Sequence, residues 1–385
     1  MKKFFQNEIL TVGLAIFSMF FGAGNLMYPI KAGMESGSQF YIGMFAFLIT
    51  SIVLPLLGLI SMILFEGDYK KFALRLGNTS GYILLTICML ILGPIIAMPR
   101  IVTLSYTMML PFIPGISLFV FAILFLGITY LCTYRENQIV DLLGKFISPA
   151  LVVSLLIIII KGFIIKGNAA QTSLPALDVF KQNFWRGYHT LDLLAAIFFS
   201  SIILHILKIN YKNETNKKLA YLGLQAGVIG LVLLSLIYVG LGFLGLYHGS
   251  GFENINPGEL FREVSFKVLG AYGAVVISVA VLMACLSTAI ALSAVVAEYL
   301  QLEVLKGKIG FSKALAVVLL SCIPLSIYGL DTILSLTGGP ITYIGYPILI
   351  TLTIVNIAYK TVGFRYVKLP VFTVGILAAI SYYFF

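Results

Sequence analysis

The sequence predicts an all-α polytopic membrane protein, on three observations. Of its 385 residues 60% are hydrophobic and 10% charged, with a mean hydropathy of +1.04, whereas soluble domains carry about 25% charged residues. Apolar windows of about 20 residues, each long enough to cross the hydrocarbon core as a helix, recur along the whole chain. Two windows are interrupted near their middle, and irregular backbone at that depth is tolerated only where it lines a cavity or is buried in protein. One transmembrane domain over 1–385 accounts for all three.

Taken in order, the windows are 9–34 (broken), 39–65, 80–110, 116–134 and 141–165, then 178–209 (broken), 219–247, 266–300, 311–328 and 331–359, and a last helix at 369–385. The expected count is about eleven. Most of the 25 Lys and Arg, from Lys2 and Lys3 through Lys70, Lys71, Arg75, Lys217 and Lys218 to Arg365 and Lys368, fall on one set of alternate connections. Cytoplasmic loops hold the excess of basic residues, so the N-terminus is expected inside. The connection 247–267 carries Gly, Asn and Pro turn residues around a short amphipathic stretch at 257–266, read as a lid-like loop helix. Lys2 and Lys3 precede the first apolar run without a small-residue cleavage site, which reads as a retained first helix.

Several function classes are excluded on chemistry. The net charge of +10 sits in short loops that orient helices, so nucleic acid is not the expected partner. Cys88, Cys132, Cys285 and Cys322 lie within apolar runs without metal-ligand spacing, and His189, His205 and His248 are scattered. No His-Glu metal motif, no Gly-x-Ser-x-Gly and no paired membrane carboxylates are present, so an enzyme is not expected. A channel needs a continuous polar-lined pore, and interrupted helices point to an occluded midplane site instead.

The first break lies in 18–33, Ser-Met-Phe-Phe-Gly-Ala-Gly-Asn-Leu-Met-Tyr-Pro-Ile-Lys-Ala-Gly. The second lies in 184–192, Phe-Trp-Arg-Gly-Tyr-His-Thr-Leu-Asp, which is too polar for a lipid face and runs straight into apolar 193–207. Asp192 stands about 16 residues, roughly 24 Å of helix, from the basic turn at Lys208, and Gly22 to Asn25 lie at a similar depth from Glu8. A break at 198–201 would leave an inner half-helix of two turns and ranks second. Paired interruptions in two halves are the best sequence pointer to a transporter site. Five helices per half, the first of each broken, is the LeuT-type 5+5 inverted repeat, with repeat 1 about 9–165 and repeat 2 about 178–359. Opposed half-helix ends offer amides to a carboxylate and carbonyls to an ammonium or a cation, which suits a zwitterionic amino acid.

Four blocks in order, Phe20-Phe21-Gly22-Ala23-Gly24-Asn25-Leu26, Gly93-Pro94 with Ala97-Met98-Pro99-Arg100, Gly187-Tyr188 with Thr190-Leu191-Asp192 and Ala195, and Ala284-Cys285-Leu286-Ser287-Thr288-Ala289-Ile290, resemble the bacterial branched-chain amino acid:cation symporter family. That family belongs to the amino acid, polyamine and organocation superfamily with the LeuT-type fold, and the resemblance runs along nearly the whole chain. Members usually carry a twelfth helix, and methionine is more usual at Leu191. The resemblance implies a secondary active symporter of the bacterial inner membrane that imports Leu, Ile or Val with sodium by alternating access. A proton-coupled carrier, or an exporter of other apolar amino acids, is the alternative. No cofactor is implied beyond the coupling ion.

The candidate residues follow. The resemblance implies a sodium site from the Ser287 and Thr288 hydroxyls with the Ala284, Ser18 and Phe21 carbonyls; taken alone, such hydroxyls bond back to their own helix. The Ala23 and Gly24 amides are the expected carboxylate cradle, or else the glycines only permit close packing. Asn25 either coordinates a second cation or caps the outer half-helix. Asp192 costs about 3 kcal/mol in a membrane, so it either receives the substrate ammonium, pairs with Arg186 or His189, or caps the inner half-helix. Gly187, Tyr188 and Thr190 are grouped with it. Arg100 reads as a side chain that snorkels to water, or as an outer gate closing on Asp331. Lys145 reads as a cytoplasmic anchor or as a fixed charge near the sodium site. Pro94, Ile95, Ile96 and Ala97 read as walls for an apolar side chain.

Overall fold

The computed structural model describes residues 2–211, 214–252, 255, 257–270, 273–329, 332–333 and 339–384. The described elements are helical. The first window is two helices, α1 (Lys2–Phe20) and α2 (Ala23–Ser36), with Phe21 and Gly22 between them. Next come α3 (Phe40–Leu48) and α4 (Leu54–Leu64), joined through a π-helical turn at Ile49–Val53. The short α5 (Tyr69–Leu74) lies in the following connection, its first turn capped by the Asp68 carboxylate on the Lys71 amide.

The third window holds α6 (Asn78–Leu90) and α7 (Ala97–Met109), separated by a π-helical segment at Ile91–Ile95. Gly93 there leaves helical geometry (φ −90°, ψ −113°) beside Pro94, because proline has no N–H to give and its ring displaces the preceding turn. The chain continues as α8 (Leu118–Thr133), α9 (Ile139–Leu142) and α10 (Ser148–Ile164). The sixth window is again two helices, α11 (Ala176–Tyr188) and α12 (Asp192–Asn210). Leu191 between them is left-handed at φ +58°, a geometry that ends a helix. The alternative break at 198–201 lies inside α12, which is continuous there.

Then follow α13 (Asn216–His248), α14 (Pro257–Leu269), α15 (Ala274–Tyr299), α16 (Phe311–Ser326), α17 (Tyr346–Val362) and α18 (Lys368–Phe384). Among the described residues, seven helical stretches are long and apolar enough to cross a membrane, and four shorter apolar helices accompany them. One expected boundary moves: the window 266–300 splits, Phe266 belonging to α14, and the eighth span begins at Ala274. Gly270 at φ +69° ends α14, a conformation that glycine adopts without strain.

Side-chain bonds show which ends meet. At one face Lys70 pairs with Glu303 at 2.7 Å, Lys208 bonds the Glu66 carbonyl at 2.8 Å, and Tyr130 meets Ser312 at 2.6 Å. At the opposite face Gln39 bonds the Leu174 carbonyl at 2.6 Å and Arg262 the Thr107 carbonyl at 3.1 Å, while Arg186 pairs with Glu35. Helix α14 is anchored rather than free: Phe261 and Val264 are buried, and Phe266 stacks on Phe112.

The broken first span runs against α13 at the centre of the bundle, and small residues set the separation. A Cβ at Gly33 would fall 1.8 Å from the Gly242 carbonyl oxygen, and one at Gly245 would fall 1.9 Å from that of Ile30. Without a hydrophobic drive between helices in lipid, such backbone approach supplies the packing.

Candidate functional site

The two breaks converge. Between them lies a cavity walled by Gly22, Gly24 and Asn25 of the first break, Thr190 and Asp192 of the second, and Thr288 of α15. The kinked third span closes it with Ile91, Leu92, Ile96, Ala97 and Arg100. Of the expected apolar walls, Ile96 and Ala97 line the cavity; Pro94 and Ile95 do not, because the kink turns them away.

A buried polar cluster pins the two broken spans together. The Asn25 Nδ2 donates to the Phe20 carbonyl at 3.0 Å, across the first break, and lies 3.2 Å from Asp192 Oδ2. It also bonds the Tyr238 hydroxyl of α13, which in turn reaches Asp192 Oδ2 at 3.3 Å. Asn25 therefore does not cap the outer half-helix with its side chain; the N-cap position is Gly22. Asp192 is the first residue of α12, behind Leu191 at the cap position. Its carboxylate pairs with neither Arg186 nor His189, since Arg186 is held by Glu35 and Asn183. Asn25 Nδ2, the Tyr238 hydroxyl and the Asp192 carboxylate are thus one another's partners, as buried polar groups at membrane depth require.

The amide of Leu193 in the first turn of α12 is satisfied from outside, by the Tyr346 hydroxyl at 3.1 Å. Tyr188 packs edge-on against Tyr346, with ring centroids 4.7 Å apart, and its hydroxyl donates to the Thr342 carbonyl at 3.2 Å. Gly187 sits away from the cavity; a Cβ there would fall 2.3 Å from the Phe47 carbonyl oxygen, so its role is packing of α11 on α3. Thr190 lines the cavity while its hydroxyl bonds the Gly187 carbonyl at 2.8 Å. Sequence reasoning missed Tyr238 and Tyr346, although a fully buried tyrosine hydroxyl in an apolar span needs a partner.

Near the first break, Thr288 Oγ1 donates to the Met19 carbonyl at 3.1 Å, and a Cβ on Gly22 would lie 3.0 Å from that hydroxyl. Ser287 Oγ bonds back to the Ala284 carbonyl at 3.0 Å, and Ser18 Oγ to the Ala15 carbonyl at 3.1 Å. Phe21 is fully buried in the break, stacked on Phe17. Ala23 and Gly24 open α2, and Gly24 faces the cavity.

Arg100 departs from its sequence reading. It does not snorkel: it is 8% exposed and lines the cavity, its Nη2 3.5 Å from the Tyr28 hydroxyl. Asp331, its suggested gate partner, lies outside the described residues. Lys145 is exposed and paired with Asp141 at 2.9 Å, as an anchor would be.

Two membrane spans broken at a common central cavity are the architecture on which transporter binding sites are built. Solved structures of that class superpose on this chain. A sodium-coupled sialic acid symporter in a substrate-bound outward-open state aligns over 98% of this chain and 90% of its own, with a TM-score of 0.61 at 13% identity. Mhp1, a nucleobase-cation-symport-1 family transporter, aligns over 97% and 90% with a TM-score of 0.59 at 14% identity. A manganese transporter of Eremococcus coleocola aligns over 98% and 87% with a TM-score of 0.60 at 14% identity. At these identities the likeness shows the fold alone.

Sequence carries the identification further. The family model described as branched-chain amino acid transport protein matches residues 5–383. A protein of Staphylococcus aureus strain USA300 named as a branched-chain amino acid carrier is 31% identical over 393 aligned positions, covering 96% of this chain and 87% of its own. One from strain MRSA252 is 30% identical over 392 positions with the same coverage. The chain belongs to the branched-chain amino acid transport protein family, and its members are transporters, not enzymes.

Proposed function

We propose that this protein is a secondary active symporter that imports leucine, isoleucine or valine with sodium by alternating access across a bacterial inner membrane, its N-terminus in the cytoplasm. The observation that carries the reading is the cavity at the meeting of the two breaks, apolar along the third span except at Arg100 and polar at Asn25, Thr190 and Asp192. A branched aliphatic side chain suits the Ile91, Leu92 and Ile96 wall. The amino acid's charged end suits the helix termini, where free amides and carbonyls gather. Ala23, Gly24 and Asn25 with Thr190 and Asp192 form the proposed substrate site, Gly187 and Tyr188 supporting it from behind.

Sodium is assigned to the junction of α15 with the first break. A hard cation exchanges its water for oxygens, and the Thr288 hydroxyl already meets a main-chain oxygen of the first span there. Ser18, Phe21 and Ala284 would supply carbonyls and Ser287 a second hydroxyl, once that hydroxyl turns from its own helix. The membrane potential adds about 2.3 kcal/mol per charge per 100 mV to the sodium gradient. Uptake of labelled leucine into proteoliposomes tests the reading: accumulation above the external concentration is expected with an inward sodium gradient and is lost with choline at fixed pH. Accumulation unchanged in choline would overturn sodium coupling, and conductance at channel-like rates would overturn the carrier.

A further inference from the structure

We propose that Arg100 receives the substrate carboxylate, so that the cavity binds an amino acid by both charged ends, the guanidinium on one wall and the Asp192 carboxylate on another. The inference deepens the carrier reading and rests on it. Arginine stays charged at any physiological pH, and at 8% exposure Arg100 is a buried cation. Among the described residues no carboxylate lies within 4.0 Å of it. Its neighbours are the Tyr28 hydroxyl at 3.5 Å and the Tyr28 ring, 5.6 Å from Cζ to the centroid. Burying a guanidinium without a paired anion is costly.

The surroundings make the cost greater. A Cβ on Gly24 would lie 2.3 Å from Arg100 Nη2, so the guanidinium rests on the second residue of α2, a helix of 14 residues. That end of a helix carries the positive pole of its dipole and amides with no partner inside the helix. Two positive features meeting at one point of a cavity wall leave a place for one anion. A carboxylate there takes charge-assisted hydrogen bonds from the guanidinium and faces the free amides of α2. Asp192, bonded to Asn25 and Tyr238, lines the same cavity beyond ion-pair distance of Arg100, within reach of its field but not in contact with it, and is left for the ammonium. The absence of a side chain at Gly24 is what admits the guanidinium.

The test compares leucine with leucinamide, which keeps the amine and side chain but has no carboxylate, in the full-length reconstituted protein. In the wild type, leucinamide is expected to compete at least about thirtyfold more weakly than leucine. Arg100→Gln is expected to raise the leucine KM by about thirtyfold or more and to leave the leucinamide Ki within about threefold, so that discrimination collapses. Arg100→Lys should fall between, because an ammonium cannot reproduce the planar fork. Gly24→Ala, which displaces the guanidinium, should reproduce the selective loss and keeps the test open if Arg100→Gln does not fold. Equal weakening toward both compounds would mark Arg100 as structural and overturn the assignment. So would leucinamide matching leucine in the wild type, or Gly24→Ala behaving as the wild type. Absence of any saturable leucine transport by the wild type would instead remove the carrier reading, and this assignment with it.

Discussion

Asp192 shows what one residue type in one place reveals. A carboxylate at the head of an apolar run is too costly to be incidental, so that it would face a cavity or a polar partner was legible without coordinates. What held it was not legible. Its partners, Asn25 and Tyr238, lie 167 and 46 residues away in sequence, and Tyr238 is one of 21 tyrosines with nothing local to single it out. Arg100 was misread for the opposite reason: a long cation near a helix end usually reaches water, and only the kink at Gly93 and Pro94 shows that its helix turns inward. Removing the hydroxyl with Tyr238→Phe should destabilise the protein by about 1–3 kcal/mol, because Asn25 and Asp192 each lose a buried partner. A melting curve in detergent measures it, and an unchanged midpoint would argue against the cluster. Asp192→Asn keeps the shape of the side chain and removes the proposed counter-charge for the substrate ammonium. It should raise the leucine KM more than tenfold while sparing a competitor without an amine, such as 4-methylpentanoate.

The broken helices were the most readable elements, since Gly22, Gly24 and the polar 184–192 stretch defy a continuous span in hydrocarbon. The start of the eighth span was the least readable. Val268 and Leu269 are as apolar as the residues after Gly273, so hydropathy runs on across a turn that depends on one glycine at φ +69°. The same limit applies to packing: Gly33 and Gly245 could have been spacers or hinges, and the structure makes them contact points with the backbones of α13 and α2. Gly33→Ala should therefore force α2 and α13 apart at a cost of about 1–3 kcal/mol, as overpacking does in a tight interface. Gly127, where a Cβ would meet nothing within 4 Å, is the control inside a helix and should melt no lower than the wild type when changed to alanine.

For the whole molecule, composition alone established membrane residence, and the fold class followed from where the interruptions fell. Direction of transport and choice of ion belong to the cycle between states, which a list of residues does not encode. The proposed coupling predicts that Thr288→Ala weakens apparent sodium affinity by more than tenfold and leucine affinity by less, since the hydroxyl is bonded to the Met19 carbonyl at the proposed sodium junction; equal shifts in both would contradict it. The central claim is that two unwound spans enclose the transported amino acid. An experimental structure with leucine and sodium bound addresses it most directly: density for the amino acid is expected between Gly24, Arg100 and Asp192, its side chain against Ile96. Leucine seated elsewhere, or a first span continuous through Gly22 with no hollow beside it, would contradict the account.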